Sequence, residues 1–167
     1  RHQECLEACQ QLLQNEPEHP LPWKYAGKSL LALRQFEKAQ QCLIKAYQLD
    51  ANDPEITKDI GNIFLNLSRP EDAIEWYKKS LKINNNYAPA INSIAYINRQ
   101  SGNNQEALNL YKKAVQADPQ LAQAYVGAAA SALTLGDLDQ AQILAIQAIE
   151  INSKVPGINE ILGIIFQ

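Results

Sequence analysis

The 167-residue sequence contains no methionine, only two histidines and only 7% aromatic residues. The histidines, His2 and His19, both lie near the N-terminus, which leaves little material for a catalytic triad built on a buried histidine. There is no Gly-rich phosphate loop and no Cys-x-x-Cys. Three cysteines, Cys5, Cys9 and Cys42, are an odd number, so a disulfide framework is not expected and a reducing, cytoplasmic setting is. His2, Cys5 and Cys9 share a helical face, but a fourth ligand is not evident and no metal site is expected. The chain lacks a basic excess, with a formal net charge of −3, which argues against a nucleic-acid partner. No apolar run approaches the length of a membrane span, so no membrane partner is expected. Methionine is missing even at position 1, and the chain ends on the apolar run "GINEILGIIFQ". Both features lead us to expect an excerpt of a longer protein.

What the sequence does contain is repetition. "EDAIEWYKKSLKIN" at 71–84 and "QEALNLYKKAVQAD" at 105–118 place Ala and Tyr-Lys-Lys at the same offsets, which sets a period of 34. Small residues fall in three columns at that interval. They are Cys5, Ala39, Ala73, Ala107, Ala141; then Gly27, Gly61, Ala95, Ala129, Gly163; then Leu12, Ala46, Ser80, Ala114, Ala148. Larger apolar residues keep the same register, as in Leu13, Tyr47, Leu81, Val115 and Ile149. A fixed period of this size marks a stacked repeat architecture.

Within each period the spacing is helical. Leu108, Tyr111, Ala114 and Val115 recur at helical spacing and make one apolar stripe. Gly102-Asn103 and Gly136-Asp137 interrupt the pattern, while Pro70 and Pro89 fall where a helix would begin, a position that tolerates a missing N–H. Each unit therefore reads as helix A, a tight turn, helix B and a short link. Close helix packing requires small side chains at the crossing, and the small residue of helix A is expected to meet the Ala of helix B there.

These columns resemble the tetratricopeptide repeat. The match is fullest at 88–121, through Ile91, Ile94, Ala95, Gly102, Ala107, Tyr111, Ala114 and Pro119. Full repeats are expected at 20–53, 54–87, 88–121 and 122–155. Residues 1–19 read as the second helix of a preceding repeat and 156–167 as the first helix of a following one. The resemblance implies an all-α, right-handed superhelical solenoid of antiparallel helix pairs, a single domain over 1–167. It also implies a concave groove, lined by helix A, that holds a peptide or segment of a partner protein.

By that register the groove residues are Lys24, Lys28 and Leu31; Glu55, Lys58, Asn62 and Asn66; Asn92, Tyr96 and Arg99; and Gln123, Val126, Ala130 and Leu133. The groove reads as polar and locally basic early and apolar late. Its amides suit a peptide backbone and its cations a carboxylate. A subset of the family binds chaperone C-termini through a carboxylate clamp of five side chains. Only Lys58 and Asn62 match its positions, because Ser93, Gln123 and Gly127 stand at the others.

Acidic residues at helix starts, such as Glu71, Asp72, Asp137 and Asp139, are explained by the helix dipole without catalysis. The expected function is a non-enzymatic interaction scaffold with no cofactor. The alternative is a substrate-recruiting arm of a larger enzyme, such as a transferase, with catalysis elsewhere. Ile158, Ile161, Leu162, Ile165 and Phe166 form an apolar face on the last helix. Exposing it would be costly, so self-association through that helix is a further expectation.

Overall fold

The structure, a computed structural model, describes residues 1–165. Among these residues there are ten helices and no strands. The helices gather into two compact units, Arg1–Asn85 and a second that begins at Asn86. The first holds α1 (His2–Asn15), α2 (Pro20–Ala32), α3 (Phe36–Leu49), α4 (Pro54–Asn66) and α5 (Pro70–Ile83). The second holds α6 (Ala88–Gln100), α7 (Asn104–Ala117), α8 (Ala122–Thr134), α9 (Leu138–Ile151) and α10 (Ile158–Ile165). The A helices α2, α4, α6 and α8 begin at 20, 54, 88 and 122, and the B helices α1, α3, α5, α7 and α9 at 2, 36, 70, 104 and 138. The period of the sequence is therefore a period of helix starts.

Local chemistry sets these boundaries. Proline opens α2, α4 and α5 and lies within the first two positions of α6, where its missing N–H costs nothing. The side chains of His19 and Asp53 cap α2 and α4 by accepting from the backbone N–H of Leu21 and Glu55. The A-to-B turns are set by one left-handed residue per repeat, namely Arg34 (φ 59°), Ser68 (φ 57°), Gly102 (φ 82°) and Gly136 (φ 81°). The next residue's N–H reaches back to helix A each time: Gln35 to Leu30, Arg69 to Phe64, Asn103 to Asn98 and Asp137 to Ala132, all at 2.9–3.0 Å. Those bonds satisfy carbonyls that the helix end would otherwise orphan. The sequence pattern finds the glycines of the last two turns. It misses Arg34 and Ser68, which hold the same conformation without the residue that makes it easy.

In unit one, α2 packs on α3 and α4 on α5; in unit two, α6 packs on α7 and α8 on α9. The small columns form the centre of each pair, with Ala39, Ala73, Ala107 and Ala141, and likewise Ala46, Ser80, Ala114 and Ala148, fully buried. Ser80 satisfies its hydroxyl by donating to the carbonyl of Pro54 at 2.6 Å, so the polar atom is buried without penalty.

One expectation about the crossing is corrected. The glycines of helix A do not meet small residues alone. A Cβ at Gly27 would lie 2.5 Å from Cγ of Leu43, and one at Gly61 would lie 2.5 Å from Cε1 of Tyr77. The missing side chain of helix A makes room for a large side chain of helix B, so volume is conserved across the pair. A second correction concerns α10. Ile158 and Ile161 are buried and Leu162 and Ile165 are half-buried, with α10 packed against α8 and α9. Most of the apolar face expected to drive self-association is thus already covered within the unit. Phe166 lies outside the described residues, and Ile164 is a large apolar residue of α10 that remains exposed.

Candidate functional site

The A helices carry the candidate binding residues. In the first unit the expected cations are already neutralised within the chain. Lys24 is only 8% exposed and its ammonium pairs with Asp53 at 2.7 Å and Glu55 at 2.5 Å. Lys28 pairs with the other oxygen of Glu55. Lys58 pairs with the buried Asp59 at 2.5 Å. The two carboxylates met by Lys24 come from the start of α4, so the network joins neighbouring A helices.

The titration of these groups follows their contacts. Burial by itself would raise the Glu55 carboxyl. Hydrogen bonds from Lys24 and Lys28, together with their charges, outweigh burial and hold it at about 2. Burial would lower the Lys24 ammonium, and its bonds to Asp53 and Glu55 raise it well above the ordinary lysine range instead. The basic character expected of this part of the groove is therefore largely cancelled. The match of Lys58 and Asn62 to a carboxylate clamp is taken up in the same way: Lys58 faces Asp59, and Asn62 accepts from the hydroxyl of Tyr77 at 2.9 Å. Asn66 is exposed and donates to the carbonyl of Asn62.

In the second unit the arrangement differs. Asn92, Tyr96 and Arg99 follow one another at helical spacing on α6, which places them on one face. Tyr96 is 41% exposed. The Arg99 guanidinium lies 5.8 Å from the Tyr96 ring, and among the described residues no carboxylate lies within ion-pair distance of it. Oδ1 of Asn92 and Nε of Arg99 are buried atoms without a hydrogen-bond partner among the described residues. Tyr111 of α7 enters the same region because Gly127 of α8 has no side chain to obstruct its ring. Burial pushes the Tyr111 phenol up, and a hydrogen bond with Arg99 opposes that.

Gln123 is exposed on α8, whereas Val126 is 5% exposed and does not present a side chain to a ligand. The turn before α10 lies near it, since a Cβ added at Gly157 would be 3.4 Å from Cγ1 of Val126. Sequence register alone does not assign Tyr77, Tyr111 or Asp53 to this surface. The signal for the tyrosines was present, since Tyr77 and Tyr111 stand in identical contexts one period apart. Asp53 gave none, because charge pairing between one A helix and the next leaves no trace in a repeat register. No helix among the described residues is long and apolar enough to cross a membrane.

Comparison with known proteins decides the family. Residues 26–89 and residues 98–156 each match the tetratricopeptide repeat, together more than half of the chain. The chain is a tetratricopeptide-repeat protein. Such repeats build scaffolds for protein interaction and are generally non-catalytic. Over 114 residues this tetratricopeptide chain is 21% identical to anaphase-promoting complex subunit 6 of Arabidopsis thaliana. The match takes in 65% of the chain but only 21% of that relative, so it spans about a fifth of the relative's length. The fold is also similar to TTC0263, a thermophilic tetratricopeptide protein of Thermus thermophilus, with a TM-score of 0.83, 17% identity and coverage of 99% of this chain and 91% of the other. YrrB, described as a tetratricopeptide protein with an unusual peptide-binding site, gives a TM-score of 0.65 at 17% identity, covering 95% of this chain and 82% of its own.

Proposed function

We propose that this tetratricopeptide chain is an interaction scaffold, working in the cytoplasm, that holds an extended segment of a partner protein on its A-helix faces. The observation that carries the reading is the α6 face. There an exposed tyrosine, an arginine and an asparagine stand in line, and among the described residues the arginine has no carboxylate partner and the asparagine Oδ1 no hydrogen-bond partner. Such a set offers a flat apolar surface, a cation for an acidic side chain and an amide for a backbone N–H. The pairing of Lys24, Lys28 and Lys58 with carboxylates of the same chain supports α6, rather than α2 or α4, as the anchor for a partner's negative charge. YrrB's peptide binding supports the same class of ligand. The cysteines are all free thiols, which supports a reducing compartment.

The test is a peptide-display selection on the 167-residue chain, followed by titration of the enriched peptides. Enrichment of acidic residues, and loss of binding in the Tyr96→Ala/Arg99→Glu double variant with unchanged helicity, is the expected result. Peptides that bind that variant as tightly as the parent chain would remove the α6 anchor.

A further inference from the structure

A second surface stands on the opposite side of the first unit, between the B helices. A cleft of about 840 Å³ runs between α1 and α3, with α2 as its base, within the size range of sites that hold a small ligand or a few side chains. Its floor is apolar, made by Leu6, Leu13, Trp23, Ala26 and Leu30. Five glutamines and Lys38 form much of the rest of its lining, and among the described residues no acid takes part.

The repeat period explains why the cleft is open. One repeat further on, Tyr47 of α3 and Trp76 of α5 meet edge to face, with ring centroids 5.4 Å apart. The positions one period earlier are Leu13 and Cys42, and both line the cleft. Two aromatic rings are thus replaced by one leucine and one thiol, while the base stays apolar. On α3, Leu43 and the carbonyl of Ala39 face α2, the A helix of the same repeat, and the counterparts of these two residues on α1 are Cys9 and Cys5. The cleft is lined instead by Leu6 and Leu13, about a third of a turn around.

The geometry points to this cleft as a second docking site, taking an extended peptide segment of another protein that bears an aromatic side chain flanked by acidic residues. The aromatic ring occupies the volume that the tyrosine–tryptophan pair fills in the following repeat. The glutamine amides, each with donors and an acceptor, meet the peptide backbone. Lys38, exposed and facing a lining free of carboxylates, favours an acid beside the ring. This inference does not depend on the α6 reading, since the two surfaces share no residue and lie in different units.

The experiment uses the 15N-labelled 167-residue chain and the capped hexapeptide Glu-Asp-Phe-Phe-Asp-Glu, with lysine-for-acid and alanine-for-phenylalanine versions as controls. The Trp23 indole N–H, held on the carbonyl of Pro17 at 2.8 Å, is the reporter. Saturable shifts at Trp23, Leu6 and Leu13, with binding about tenfold tighter than for either control, are expected. The Leu13→Tyr/Cys42→Trp variant fills the cleft with the neighbouring repeat's own pair. It should lose about tenfold in affinity while its helicity and thermal midpoint hold or rise. Lys38→Glu, a surface change, should reverse the preference for acidic over basic peptide. The inference is overturned by undiminished binding to the filled variant, by shifts confined to the residues around Arg99, or by no saturable shift. Dilution-dependent shifts of the cleft residues without peptide, with dimers in light scattering, would also overturn it by showing a second copy as the occupant.

Discussion

Replacing Gly61 by Ala sets two physical effects against each other. Gly61 lies inside α4, where alanine is a better helix former than glycine by about 1 kcal/mol. Propensity alone therefore predicts a stabilised protein. The structure predicts the reverse. The new methyl group would sit 2.5 Å from Cε1, 2.7 Å from Cδ1 and 3.1 Å from Cζ of Tyr77. An ordinary carbon contact needs about 3.5–4.0 Å, so the ring must move by roughly 1 Å. It has nowhere easy to go, because Tyr77 is fully buried and its hydroxyl is bonded to Asn62. Overpacking of this kind costs about 1–3 kcal/mol. After subtraction of the propensity gain, the variant should be destabilised by about 1 kcal/mol or somewhat more.

The assay is urea unfolding followed by circular dichroism, with Gly163→Ala as the control. A Cβ at Gly163 would meet nothing within 4 Å, so that change should leave stability equal or slightly raised. A second comparison isolates the cause. In a Tyr77→Ala background the ring is gone, and adding Gly61→Ala should then stabilise rather than destabilise. The sign reversal is the coupling between the two positions. If Gly61→Ala raised the urea midpoint as Gly163→Ala does, the packing of the B-helix ring into the A-helix gap would be refuted.

Two further outcomes are expected. Glu55 titrates at about 2 in the folded chain against an ordinary 4.5. The stability it contributes is therefore complete above pH 4.5 and is lost as pH falls from there through about 2. Urea midpoints of the parent chain and of Glu55→Gln should converge over that window, and parallel curves would count against the ion network. At the turns, Arg34→Gly and Ser68→Gly should each raise stability by about 0.5–1 kcal/mol, because glycine adopts the left-handed conformation without strain. Gly102→Ala and Gly136→Ala should lower it by about the same amount. Calorimetric midpoints that leave the four turns indistinguishable would argue against strain at Arg34 and Ser68.

Much of this architecture was legible because a packed crossing leaves little freedom. Ala39, Ala73, Ala107 and Ala141 are fully buried, and nothing larger fits there, so the constraint repeats in the sequence at the interval of the structure. The candidate site was legible only in outline. Register places Lys24 on the right helix but does not reveal that Asp53, the cap of the next A helix, claims its charge. It gives Val126 an outward position without anticipating that the side chain is buried. It also takes a small residue as a sign of a small neighbour, when Gly27 and Gly61 stand opposite Leu43 and Tyr77. What a periodic sequence encodes well is the contact every repeat must make. Pairings made once, between particular repeats, leave no period to read.

Tyr111 belongs to the B helix α7, yet it interacts with Arg99 of the A helix α6. The α6 face proposed for binding is therefore not composed by A helices alone. On the proposed reading of α6, a substitution at Tyr111 of α7 retunes the arginine that a partner meets, so selection for a new partner can act on the B helix as well as on the A helix.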